Sequence, residues 1–567
     1  MSLTDWAVLI ITLFSIVLYG MWKSRGAKNI SGFLLADKQL PWYHVGLSVM
    51  ATQASAITFL SAPGQAYTDG LRFVQFYFGL PLAMVVLCIT FVPMFRKLNV
   101  YTAYEFLEKR FDKKTRLLTA FLFLLQRGLS TGITIYAPAI ILSTILQVDI
   151  TYTIIFNGAI VILYTVYGGA RAVSYTQMLQ MAIIFTGLFL AAYMVVHLLP
   201  ENVGFINALQ IAGKMDKLNA IDTHFDINSR YNIWSGIIGG FFLQLSYFGT
   251  DQSQVGRYLT GSSVAQSRLG LIMNGLVKIP MQFLILLIGV LVFTFYQYHQ
   301  PPVFFNSAEV ARIEKSIYKS EYKEIENRYK IMHEQKQKLV TELALALHEN
   351  NKEQTKITQT NLREKNKEDN LIRAEVMKLI EKNNPKAQTN DGNYIFLHFV
   401  THQLPVGVVG LLIAIIFLAS MGSTASGLNS LASATVVDFY KRIFNKEGSD
   451  KNYLNASRWA TFIWGVFCII VALYAGKLGN LIEVVNILGS LFYGTILGIF
   501  LVAFYMKKIS GPVVFIAAII TEILVVIFWL NDWMAFLWLN VAGCLLLMLL
   551  AALMQLCIPK KQVETVK

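Results

Sequence analysis

The stretch from His44 to Gly70, HVGLSVMATQASAITFLSAPGQAYTDG, is long enough to cross a bilayer but is not built like an ordinary spanning helix. Thr52, Gln53, Ser55, Thr58 and Ser61 fall among Ala51, Ala54, Ala56 and Ala62, and Pro63 and Gly64 arrive where a helix should continue. In hydrocarbon every backbone amide and carbonyl must be satisfied within the protein, so such a stretch is tolerable only beside a wet or ion-filled cavity. A helix interrupted at membrane depth supplies that cavity with free carbonyls. The competing explanation is a helix that packs closely through its small residues.

Working outward, the 567-residue chain is 55% hydrophobic and only 14% charged. With a mean hydropathy of +0.52, these values exclude the soluble classes and describe an all-α polytopic membrane protein. The net charge of +14 would suggest nucleic acid if it were clustered on a soluble domain. Here most of the basic residues fall in loops between apolar segments, where they orient helices. Cys88, Cys468, Cys544 and Cys557 lie in apolar segments without metal-like or disulfide-like spacing and read as packing residues.

The first apolar span, 5–22, is followed rather than preceded by Lys23, Arg25 and Lys28, the reverse of a cleavable signal peptide, and is expected to be retained. Further spans are expected at 42–68, 73–95, 116–146, 151–169, 174–198, 232–256, 268–298, 404–437, 454–476, 480–506, 511–530 and 533–557, thirteen in all. With the N-terminus outside, the inner loops carry 24 Lys or Arg and the outer loops 5, leaving aside one long insertion. Missing one span would move every later loop to the other side, so this asymmetry supports the count and a cytoplasmic C-terminus. A multi-pass protein of the cell (inner or plasma) membrane is expected.

The insertion, 300–393, divides the chain into spans one to eight (1–299) and nine to thirteen (394–567). It holds 17 basic and 15 acidic residues, with Ile313, Ile317, Ile325, Leu339, Leu343 and Leu347 at roughly helical spacing. One or two long amphipathic helices on the outer face are expected, either a hairpin able to contact an extracytoplasmic partner or a solvated insertion that buries little.

A second interrupted span is expected at 232–256, where Gly249 to Ser253 break an apolar run. It comes five spans after the first, and an odd interval inverts the second unit relative to the first. The hydropathy therefore fits two inverted units of five spans, 42–198 and 232 to about 506, with one extra helix before them and two after. A third feature is 411–440, in which Ser420, Ser423, Thr424, Ser426, Asn429, Ser430 and Ser433 are too many polar groups for a lipid-facing helix. Small-residue packing accounts for part of this. A hard monovalent cation accounts for more, since carbonyls of an unwound helix and hydroxyls of a neighbour hold such ions.

The stretches LSVMATQASAITFLSAPGQAY, YTAYEFLEKRF, ITIYAPAIIL, YGGARAVSYTQMLQ and STASGLNSLASATVVDFYKR resemble the sodium:solute symporter family, whose members share the LeuT-type inverted repeat. The resemblance covers all but the insertion and lies nearest the branch of anion, monocarboxylate and vitamin carriers. It implies a sodium ion held by the carbonyls of Ala51, Ala54 and Ala419 and the hydroxyl of Ser423. The family commonly has a second hydroxyl residue just before the last of these, where this chain has Gly422. Some members hold a second sodium with an aspartate after Tyr-Thr; here Tyr175 and Thr176 are followed by Gln177, which points to one sodium per turnover. Implied substrate contacts are Gln53, Ser55 and Thr58, with Gln75 and Tyr77, Gln244, and Tyr247 at an aromatic inner gate. Tyr77 and Ile482 stand where sugar carriers have glutamate and glutamine, which counts against glucose and galactose.

Two basic residues remain inside spans, Arg127 and Lys278, and such charges face a cavity or a partner rather than lipid. Arg127 fits a substrate carboxylate, such as that of a sialic acid or monocarboxylate. It fits equally an internal pair with Glu105, Asp251 or Glu483, or snorkelling to the interface. A neutral sugar or vitamin is the alternative solute. No HExxH, paired intramembrane acids or GxxxxGK is present, so the chain does not read as an enzyme. A sensor on the same fold and a proton-coupled carrier are the other rivals. No kinase or receiver-length domain follows Cys557, and no titratable group lies near Ala51 and Ser423.

Overall fold

The computed structural model describes residues 1–24, 35, 38–98, 100–201, 203–385 and 387–557, and these are helical apart from loops and one isolated β-bridge between Leu40 and Gly261. In chain order the elements begin with α1 (Leu3–Ser24), α2 (Trp42–Gln53), α3 (Ala56–Asp69), a 3-10 stretch Gly70–Tyr77, α4 (Leu80–Val86), α5 (Val92–Lys97) and α6 (Glu105–Arg110). They continue with α7 (Lys113–Leu146), α8 (Ile150–His197), α9 (Phe205–Lys214), α10 (Gly240–Thr250), α11 (Gln252–Tyr258) and α12 (Val264–Tyr298). Then come α13 (Ser307–Ile313), α14 (Lys319–His348), α15 (Lys352–Asn383), α16 (Gly392–Gln403), α17 (Val408–Ala434), α18 (Asp450–Tyr474), α19 (Leu481–Tyr505), α20 (Gly511–Leu530) and α21 (Phe536–Cys557).

Among the described residues ten helices are long and apolar enough to cross a membrane. The thirteen expected spans differ from this in three places, each with a physical cause. The second expected span is split, and its far half, α3, runs on toward α5 as one apolar segment, Ala56–Lys97. The seventh is split at Asp251. The fifth and sixth share one unbroken 48-residue helix, α8. At 1.5 Å per residue α8 is about 72 Å long, more than twice a hydrocarbon core. The sequence around Gly168 and Gly169 contains no proline to end a helix, and the expected turn there is helical.

The first break falls at Ala54 and Ser55, not at Pro63 and Gly64 as the sequence suggests. Ala54 has φ −80° and ψ 83° and Ser55 is extended at φ −86°, ψ 172°, so the hydrogen-bond ladder stops and restarts. Pro63 lies inside α3. A side chain at Gly64 would run into the backbone of Gly392 at the start of α16, and one at Gly289 on α12 into the backbone of Pro63, so α3 is held between two backbones. The second break is a single residue, Asp251, at φ −77°, ψ 119°, whose Oδ1 accepts the Ser253 amide at 2.8 Å and so caps α11.

The insertion forms a helical hairpin, α14 against α15. Tyr322, Ile325, Tyr329, Met332, Ile372 and Val376 make a core of their own with Val303, Phe304 and Ile313. Lys336 pairs with Asp369 at 2.8 Å and Arg328 pairs with Glu375 across the two helices. Of the expected apolar stripe, Ile313, Ile325 and Leu343 are buried, while Ile317 lies in the turn before α14 and is 90% exposed. The base is docked rather than free. Arg373 donates to both oxygens of Asp391 at 2.8 and 2.7 Å, Asp391 accepts the Phe305 amide at 2.8 Å, and Phe305 meets Tyr67 of α3 edge-on.

Candidate functional site

Where α2 ends, its last carbonyls lose their helical amide partners, and α17 passes alongside. The two are joined at Thr52, next to Ala51, and Ser426, one turn after Ser423, whose Oγ1 and Oγ stand 3.0 Å apart. Ser426 Oγ also accepts from Arg257 Nε of α11 at 3.0 Å, so both interrupted helices meet α17 here. Ser423 Oγ donates to the carbonyls of Ala419 and Ser420 at 2.9 and 3.2 Å. Ala51, Ala54, Ala419 and Ser423 are all buried. Among the described residues no three His, Cys, Asp or Glu side chains gather to hold a metal ion, and the oxygens shown at this break are the hydroxyls of Thr52, Ser423 and Ser426.

Gln177 of α8 is fully committed. Its Oε1 accepts from Ser48 Oγ at 2.6 Å, and its Nε2 donates to Thr52 Oγ1 and to the Gly422 carbonyl, each at 3.2 Å. The amide thus fastens α2, α8 and α17 together. It is neutral, and its hydrogen-bonding groups point to protein partners.

A small cavity of about 100 Å³ adjoins the break. Of the expected substrate contacts, Gln53, Ser55, Thr58, Tyr77, Arg127, Gln244 and Tyr247 line it. Gln75 does not. It is completely buried, with Nε2 on the carbonyls of Arg72 and Tyr231, both at 3.3 Å, and Oε1 accepting the Asp222 amide at 3.1 Å. Gln75 is therefore corrected from a substrate contact to a loop clamp. The 3-10 geometry of Gly70–Tyr77 changes the face it presents, which helical spacing does not foresee.

Residues not expected from sequence complete the wall: Ile57, Phe76, Gln126, Leu243, and a face of α19 made by Ile482, Val485, Asn486, Gly489 and Tyr493. The α19 set recurs at helical spacing, a signal present in the sequence but indistinguishable there from a packing stripe. Ile482, read only as a lost sugar contact, is part of the wall.

Polar groups in the wall are incompletely used. Both amide atoms of Gln244 and the carbonyl oxygens of Gln53 and Gln126 are buried without a hydrogen-bond partner among the described residues. Unpaired buried polar atoms are unfavourable and are met by water or by a ligand's polar groups. Arg127, by contrast, is ion-paired with Asp251, and donates to the Tyr493 hydroxyl at 2.9 Å, while Tyr493 donates to the same Asp251 oxygen at 2.7 Å. The guanidinium also stands 5.4 Å from the Tyr247 ring, and Tyr247 accepts from Gln254 at 2.7 Å. The cavity's one lining cation is thus balanced, although Arg127 Nε has no partner. Lys278 is fully buried behind Tyr77, its Nζ 5.9 Å from that ring and without a hydrogen bond among the described residues.

The sodium:solute symporter family model matches residues 33–316 and 377–521, leaving out a segment that falls within the insertion. The chain is 25% identical over 525 residues to the sodium/glucose cotransporter of Vibrio parahaemolyticus, covering 90% of this chain and 82% of that protein. It is 24% identical over 506 residues to the sodium/sialic acid symporter NanT of Aliivibrio fischeri, covering 88% and 82%. Its fold is similar, with a TM-score of 0.76 over 99% of this chain and 100% of the other at 22% identity, to a solved, substrate-bound, outward-open Na+-coupled sialic acid symporter. The architecture is therefore the LeuT-type arrangement of helices, and the chain belongs to the sodium:solute symporter family.

Proposed function

We propose that this chain is a sodium-driven importer that carries one sodium ion and one small polar organic solute per cycle by alternating access. The observation that carries this reading is the adjacency of an interrupted helix, α2 and α3, a hydroxyl-rich neighbour, α17, and a cavity with unpaired amides at Gln53 and Gln244. The sodium ligands are the carbonyls of Ala51, Ala54 and Ala419 with the hydroxyl of Ser423. A single ion follows from Gln177, which spends its amide on protein partners and brings no charge. One ion is enough: about 2.3 kcal/mol for a charge crossing 100 mV and about 1.4 for a tenfold gradient sustain accumulation on the order of several hundred-fold.

The wall favours a solute rich in hydroxyl or amide groups, because Arg127 is already neutralised by Asp251. An organic anion, such as a sialic acid or monocarboxylate, is the second reading, favoured by the unpartnered Arg127 Nε and by the likeness to a sialic acid symporter. The excess of basic residues in one set of loops puts the hairpin and the N-terminus outside the cell and the C-terminus in the cytoplasm. Counterflow in proteoliposomes, with sugars, vitamins, sialic acids, monocarboxylates and amino acids offered in sodium and in choline, tests the whole. Equal rates in the two buffers would refute sodium coupling, and an Arg127→Gln carrier that accumulates its anionic substrate normally would end the second reading.

A further inference from the structure

The geometry points to Gln180 as an additional sodium ligand, its side-chain oxygen replacing one that α17 does not supply. This rests on the sodium site proposed above and concerns only how its shell is completed. At the ligand turn of α17 the residue next to Ser423 is Gly422, which brings no side-chain oxygen. The space over Gly422 is not empty. A Cβ built there would stand 2.6 Å from Gln180 Oε1, with Gln177 Cγ at 3.6 Å. The carboxamide oxygen of Gln180 thus lies where the first atoms of a side chain at 422 would be.

Gln177 and Gln180 lie one turn apart on α8, and both face α17 at Gly422. Their situations are opposite. Gln177 uses both ends of its amide on Ser48, Thr52 and the Gly422 carbonyl. Gln180 is 2% exposed and makes no hydrogen bond to another described residue. A carboxamide so little exposed gains when something takes up its oxygen. A monovalent cation does so, since it binds the oxygen end of an amide as it binds a backbone carbonyl. Gly422 and Gln180 then act together: the glycine leaves the room and the glutamine fills it with an oxygen. A larger residue at 422 would displace the Gln180 amide, and loss of Gln180 with glycine in place would leave the shell short.

The test is a swap, read as sodium-dependent thermal stabilisation of the purified full-length protein, with choline chloride as the matched control. Wild type should be stabilised by sodium with a defined half-saturating concentration. Gln180→Ala should raise that concentration roughly tenfold, about the effect of losing one ligand. Gly422→Ser alone should keep sodium binding within about threefold of wild type, because its hydroxyl takes the place from which the flexible Gln180 amide is displaced. Gly422→Ser combined with Gln180→Ala should return it to within about threefold of wild type. Gln180→Glu, which keeps an oxygen there, should retain sodium binding and serves if Gln180→Ala does not fold, as judged by its melting in choline. An unchanged half-saturating concentration in Gln180→Ala, a double variant no better than Gln180→Ala, or a Gln180→Glu protein blind to sodium would each overturn the assignment. A wild-type protein that sodium does not stabilise would instead overturn the underlying sodium site, which separates the two failures.

Discussion

Arg127 is ion-paired with Asp251, the single residue at which the second interrupted helix breaks. The pair ties the middle of α7 to the hinge between α10 and α11. It is also nearly dry: the Asp251 side chain is fully buried and that of Arg127 is 12% exposed. Removing one partner of such a pair leaves a charge without an answer, which destabilises by about 3 kcal/mol, whereas removing both is much milder. Asp251→Asn should lower the melting temperature clearly, and Asp251→Asn with Arg127→Gln should regain part of the loss. A thermal-unfolding double-mutant cycle measures this coupling, and additive single effects would show that the pair is not energetically linked.

Gln244 and Gln75 provide a contrast between solute contact and scaffold. Gln244→Ala removes an amide that has no protein partner, so it should raise the half-saturating solute concentration about tenfold with little change in thermal stability. Gln75→Ala strips three backbone partners of their hydrogen bonds and should lower stability by about 2 kcal/mol. Uptake kinetics beside melting curves for the two variants distinguish the roles.

Ser423 is the one side-chain hydroxyl in the proposed sodium shell on α17. Ser423→Ala should raise the half-saturating sodium concentration for uptake by roughly tenfold while leaving the maximal rate at high sodium within about twofold. Sodium titrations of initial uptake rates check it. An unchanged sodium curve would remove Ser423 from the shell.

His333, in the hairpin, gives a pH signature. Burial pushes its imidazole down to about 4 from an ordinary 6.5, Lys336 and His299 act in the same direction, and Asp369 opposes them. The unfolded hairpin therefore takes up a proton below about 6.5 that the folded one refuses until about 4. The associated stability is present above 6.5 and declines as pH falls, by about 2 kcal/mol between pH 6.5 and 5. Amide exchange over α14 and α15, corrected for intrinsic rates, should show faster opening at pH 5, and His333→Leu should flatten that dependence.

The broad architecture was legible because polar residues in hydrocarbon are rare and costly, so 44–70, 232–256 and 411–440 stood out without any knowledge of contacts. The same logic misplaced the first break. Pro63 and Gly64 are the strongest local breakers, yet the helix continues through them and opens at Ala54 and Ser55, because packing against Gly289 and Gly392 selects which weak point yields. The wall of the cavity was half legible. Six of its members follow from the family resemblance and Arg127 from its charge inside a span, whereas the α19 face and Gln126 depend on which side of a helix turns inward. Arg127 illustrates the limit: its sequence admits a substrate carboxylate or an internal acid, and only the fold brings Asp251 to it.

Because α3 is wedged between Gly289 and Gly392 with no side chain to act as a cushion, it has little room to tilt by itself. Any rocking of this half-helix during a transport cycle must drag α16 along, and with it the Asp391–Arg373 root of the hairpin. The hairpin would then work as a lever arm fixed to the moving wall, so a spectroscopic label at its tip, near Asn350, would report the swing of α3 from far outside the bilayer.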